Sequence, residues 1–76
     1  MTDYIATFHT HLAALKTHRS LTKAGITARM APVPRKISSS CGTCVFYTAP
    51  EPSYELLDGD TESVYTAEGK LLREYE

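Results

Sequence analysis

The chain has 76 residues, 42% of them hydrophobic and 22% charged, with a net charge of −1. A chain this short buries only about 60% of the surface it exposes when unfolded, so it reads as one domain with a thin core, for which a homodimer would be a natural support. No apolar run approaches the ~20 residues of a membrane span, and the basic stretch has no interleaved aromatic platform for single-stranded nucleic acid, so neither a membrane nor a nucleic acid is expected as a partner.

MTDYIATFHT lacks a basic region followed by an apolar stretch, so it is not read as a secretory signal, and a cytoplasmic protein is expected. Within it, Tyr4 to Phe8 is apolar and partly β-branched, a strand pattern. Thr10 suits an N-cap, because its hydroxyl can accept from a free amide of the next turn. A helix is expected over His11 to Ala24, with Leu12, Ala14, Leu15, Leu21 and the stem of His18 as its apolar face and Lys16, Arg19 and Lys23 on its polar side. Gly25 stops it, since glycine takes the left-handed conformation cheaply. Ile26 to Ala31 alternates Ile26, Ala28 and Met30 against Thr27 and Arg29, a half-buried strand. The β-α-β order implies two parallel strands joined by a right-handed crossover.

Pro32 and Pro34 end that strand. The serines at 38–40 are the start signal for a short helix of one or two turns. Gly42, Thr43, Val45, Phe46 and Tyr47 are poor helix formers, so a strand is expected near Cys44 to Thr48. Pro50, Pro52 and Ser53 make a linker, and Tyr54 to Asp60 suits either a helical turn or an irregular loop. Glu62 to Thr66 and Lys70 to Tyr75 flank AEGK, where Gly69 can take a positive φ, a hairpin pattern. The fold class expected is a small two-layer α/β sandwich, β-α-β-(short α)-β followed by a C-terminal β-hairpin. Its core is placed at 3–49, a linker at about 50–53, and an acidic segment with the hairpin at 54–76.

The chemistry concentrates at Cys41 and Cys44. In a reducing compartment, cysteines are more often catalytic or metal-binding than structural, and a loop this short constrains little chain entropy if closed. The thiolate is the nucleophile, and helix N-termini or nearby cations favour it. The serines put Cys41 in the first turn of the expected helix, with Arg35 and Lys36 just upstream. Residues 1–44 carry six Lys/Arg against one acid, net +5, and residues 45–76 carry two against eight, net −6. Both thiols thus end the basic half, and a positive field around them is expected. Gly42 leaves room for an anion or a partner to approach the sulfur. On one helical turn, positions i and i+3 share a face, so Cys44 could resolve a sulfenate, disulfide or persulfide formed on Cys41.

Other readings of the pair stay open: two small buried apolar residues, a zinc site completed by His9 and His11 or by a second chain, or a thioredoxin-like motif. No metal ligand and no cofactor is assigned.

YIATFHT, a helix ending in KAGI, and then PVPRKISSSCG together resemble the family of small bacterial selenium/sulfur carrier-like proteins, the DUF3343 domain. The resemblance covers roughly residues 4–47, and its specific part is Pro34 to Gly42; the tail from Pro50 onward carries no motif of it. It implies that Cys41 is the carrier residue and that Arg35, Ser39, Ser40 and Gly42 shape its site. The expected function is a sulfur or selenium carrier, holding a persulfide or selenosulfide on Cys41 between donor and acceptor enzymes. Hydrosulfide, hydroselenide and the persulfide are anions, which amides at a helix start together with Arg35 and Lys36 would stabilise. Release by attack of Cys44 follows from thiol exchange, not from the resemblance. The alternatives are a small-anion binding module at the SSSCG helix start and a dithiol redox protein cycling between Cys41 and Cys44.

Overall fold

The computed structural model describes residues 1–75. In chain order the elements are β1 (Thr2–Phe8), α1 (His11–Lys23), β2 (Thr27–Pro32), β3 (Thr43–Ala49), a 3-10 turn (Tyr54–Leu56), β4 (Thr61–Thr66) and β5 (Leu71–Glu74). The strands form one sheet in the order β2-β3-β1-β4-β5, with every neighbouring pair antiparallel. β1 and β2 therefore run in the same direction, as the β-α-β pattern implies, but they do not touch. β3 returns from β2 as a hairpin and fills the space between them, giving both an antiparallel partner. The small α/β class and the strand-helix-strand order expected from the sequence are those of the fold.

α1 begins and ends where its signals lie. Thr10 is extended (φ −136, ψ 155), and its hydroxyl accepts the Ala13 amide at 3.1 Å. Gly25 has φ 84 just past the end. The buried face is Ala13, Ala14, Thr17 and Leu21, which includes the expected Ala14 and Leu21 but takes Ala13 and Thr17 in place of Leu12, Leu15 and His18. Leu12 is 57% exposed, and Leu15 and His18 only flank the interface. Two adjacent alanines let the helix lie close to the sheet, and the Thr17 hydroxyl accepts the Asp58 amide at 2.9 Å, anchoring the chain before β4.

The helix covers one sheet face. Tyr4, Ala6 and Phe8 from β1, Val45, Tyr47 and Ala49 from β3, and Val64 from β4 meet Ala13, Ala14 and Leu21 there. Each large apolar side chain buried in this way contributes about 1.5–3 kcal/mol. Tyr54, Leu56 and Leu57 around the 3-10 turn pack against the same cluster, so the segment left ambiguous by the sequence is a helical turn. The Tyr47 hydroxyl donates to the Pro52 carbonyl at 2.6 Å, and burial raises its pKa.

The short helix expected after the prolines is not formed. Residues 33–42 are an irregular loop, opened by a turn in which the Ile37 amide donates to the Pro34 carbonyl at 3.0 Å and closed by Val33 donating to Gly42 at 3.1 Å. One helical turn fixes several dihedrals for a single hydrogen bond, and here the serines find partners elsewhere in the fold. The loop folds back over the second sheet face, where Ile37, 6% exposed, packs on Ile5 and Cys44. The C-terminal hairpin forms as expected, with Gly69 at φ 97. Among the described residues no helix is long and apolar enough to cross a membrane.

Candidate functional site

Three side chains pin the 33–42 loop to the rest of the fold. Lys36 Nζ donates to the Ala67 carbonyl at 2.9 Å, in the β4–β5 turn. Ser39 Oγ donates to the Phe8 carbonyl at the end of β1 at 3.3 Å, and accepts the Cys41 amide at 3.4 Å. Ser40 grips Glu62 of β4 twice: its amide donates to Oε1 at 3.2 Å and its hydroxyl to Oε2 at 2.8 Å. Arg35 stands exposed in the turn that opens the loop. Gly42 has φ 78, with nothing within 4 Å of where a Cβ would lie. The glycine thus answers a backbone demand as well as leaving space.

Cys41 is half-buried, and its thiol donates to the Thr43 carbonyl at 3.7 Å. His11 Nδ1 lies 3.4 Å from the Thr43 hydroxyl. Thr43 therefore joins the cysteine loop to the first residue of α1. No helix starts at the serines, so the helix start beside this loop is that of α1. An anion module built on a helix beginning at SSSCG is ruled out in that form.

The serines already serve an anion that belongs to the chain. Burial pushes the Glu62 carboxyl up, but the hydrogen bonds from the Ser40 hydroxyl and amide, with the charge of His9, outweigh it and hold the pKa below its ordinary value. Sequence reasoning passed over Glu62. Its only signal was an acid near the start of a strand, and its position depends on β4 pairing with β1, where Phe8 lies opposite Thr61.

Cys44 is in a different environment. It lies inside β3, fully buried, with its thiol donating to the Pro32 carbonyl at 3.7 Å. Ile5 and Ile37 enclose it, with Val33, Phe46 and Tyr65 packed around them. Burial pushes its pKa up to about 11; Arg29 pulls it back in part, and Cys41 adds to the rise. A thiol of that pKa is ionised in about one molecule in ten thousand at pH 7. The helical i, i+3 placement expected for the two sulfurs is absent, since one cysteine precedes a strand and the other is within it. Both are free thiols. Among the described residues no group of three or more His, Cys, Asp or Glu converges as a metal site.

Residues 3–58 match the model of the family described as "Putative Se/S carrier protein-like". The chain belongs to this Se/S carrier-like family. It is also 32% identical over 76 aligned positions to the uncharacterized protein YtiA of Escherichia coli strain K12, covering 96% of this chain and 88% of that one. No solved structure matches it. The family match takes in β1, α1, the cysteine loop and β3, and stops before Glu62, so the carboxylate that holds the loop lies outside the matched span.

Proposed function

We propose that the protein carries sulfur or selenium on Cys41, as a persulfide or selenosulfide, between a donor and an acceptor enzyme in the cytoplasm. The observation that carries this reading is the contrast between the thiols: within the matched span, Cys41 is the one that reaches the surface, and Cys44 is sealed beneath Ile37. Loading needs no outside oxidant. The Cys41 thiolate attacks the outer sulfur of a donor persulfide, the donor S–S bond breaks, and the donor leaves as a thiolate. Unloading is the same exchange in reverse, with an acceptor nucleophile taking the outer atom and Cys41 departing. A selenium atom follows the same course.

Ser39, Ser40 and Gly42 hold the loop that presents the thiol, and exposed Arg35 offers a charge to the anionic cargo. Lys36 contributes by tying the loop to the hairpin. The dithiol redox reading ranks behind, because a buried thiol with a pKa of about 11 is a poor attacking group at neutral pH. The test is intact mass after incubation with a cysteine desulfurase and cysteine or selenocysteine. The expected result is a gain of one sulfur or selenium atom that reductant removes, that Cys41→Ser abolishes and that Cys44→Ala keeps. An adduct that survives in Cys41→Ser overturns the assignment.

A further inference from the structure

The half of the helix-free sheet face that the 33–42 loop leaves open is a groove of about 380 Å³, lined by Asp3, Thr27, Arg29, Phe46, Thr48 and Ala67. The strand register builds it. Asp3, Thr48 and Thr27 form one row across β1, β3 and β2, and Ile5, Phe46 and Arg29 form the next. Ala67 closes one side, its amide donating to the Asp3 carbonyl at 2.9 Å. β1 and β3 are paired on both sides and β2 is the edge strand, so over the floor of the groove recognition falls to side chains.

Those side chains carry both signs of charge. The Arg29 guanidinium carbon lies 4.4 Å from the centroid of the Phe46 ring, an arrangement that leaves the N–H edge of the fork for a carboxylate. Asp3 Oδ1 accepts the Thr48 hydroxyl at 2.6 Å, which orients the carboxylate and leaves its second oxygen free of that bond. We propose that this groove binds a free α-amino acid in its zwitterionic form, with its carboxylate on Arg29 and its ammonium on Asp3. A simple anion would meet the charge of Asp3, and a simple cation that of Arg29. A ligand with both charges, a short distance apart, satisfies each. The volume lies at the small end of the ~300–1,000 Å³ typical of ligand sites, as an amino acid requires. None of the lining residues belongs to the cysteine loop, so this site stands or falls independently of the carrier reading.

The test is titration of isotope-labelled protein with L-methionine, followed by amide chemical shifts, beside acetate and methylammonium as single-charge probes. Saturable shifts confined to residues 3, 27–29, 46–48 and 67 are expected for methionine and not for either probe. Asp3→Asn keeps an acceptor for Thr48, and Arg29→Met keeps an apolar stem over Phe46. Each should weaken methionine binding about tenfold or more, with shifts elsewhere reporting an unaltered fold. The proposal is overturned if methionine gives no saturable shifts, if acetate binds as tightly as methionine, or if both variants bind like the parent.

Discussion

Cys41 and Cys44 are separated by two residues and lie in different environments, because β3 begins between them at Thr43. From that point alternate side chains turn to opposite faces; Cys44 falls on the face that Ile37 covers, while Cys41 stays in the bend outside. What holds the bend is Glu62, and the double hydrogen bond from Ser40 makes its contribution measurable. Glu62→Ala leaves the Ser40 amide and hydroxyl without their acceptor, at a cost of about 1–2 kcal/mol. The melting temperature should fall and the Ser40 amide should exchange faster with solvent. Glu62→Gln keeps one acceptor oxygen and should lie between the two. Unchanged exchange at Ser40 in the alanine variant would show that the carboxylate does not hold the loop in solution. At this scale the family of the cysteine loop was legible, and the loop's anchor was not. Pro-Arg-Lys-Ile-Ser-Ser-Ser-Cys-Gly marks the family by its residues, whereas the helix start that its serines suggested is not formed. Glu62 acquires its role only through the pairing of β4 with β1, including a register shift between Thr7 and Phe8, which no local pattern encodes.

Among the elements, α1 was readable because its limits are local: a threonine hydroxyl at one end and a left-handed glycine at the other. Its buried face was misread at Leu12, since the sheet accepts the helix along Ala13, Ala14, Thr17 and Leu21, and tertiary packing outweighs the choice of the larger side chain. The serines misled for a related reason. A serine run before a thiol offers capping hydroxyls, but Ser39 and Ser40 use theirs on Phe8 and Glu62. The loop is joined to the C-terminal hairpin through Lys36, whose stem crosses Gly69. A Cβ at Gly69 would lie 3.2 Å from Lys36 Cδ, whereas one at Gly25 would meet nothing within 4 Å. Both glycines have positive φ, so Gly25→Ala should cost only the conformational strain of roughly 1–2 kcal/mol. Gly69→Ala should cost more, because Lys36 must also move. Thermal melts of the two variants compare these costs, and equal losses would mean that the Lys36 clasp adds nothing to stability.

For the molecule as a whole, the strand order sorts the sequence's two charged halves in space. β4 and β5, drawn from the acidic half, lie at one side of β1, and β2, from the basic half, lies at the other, beyond β3, which straddles the boundary. The asymmetry was visible in the sequence; that an acid would cross to the thiol loop was not. Two buried or clasped groups then set the limits of stability with pH. The folded pKa of Glu62 is depressed, so its contribution is complete above the ordinary carboxylate range and is lost as the pH falls through the folded value. Cys44 is raised from 9.0 to about 11. Below pH 9 both states keep its proton and stability does not depend on it. Between pH 9 and about 11 the unfolded chain gives up the proton first, so stability falls as the pH rises. Denaturant unfolding at closely spaced pH values from 8 to 10 should therefore show a decline in the parent that is reduced in Cys44→Ala. Tyr47, also raised by burial, leaves a residual decline in both proteins at higher pH. A parent and variant with the same slope between pH 9 and 10 would mean that the thiol beneath Ile37 is open to water, which would remove the physical distinction on which Cys41 is chosen as the carrier.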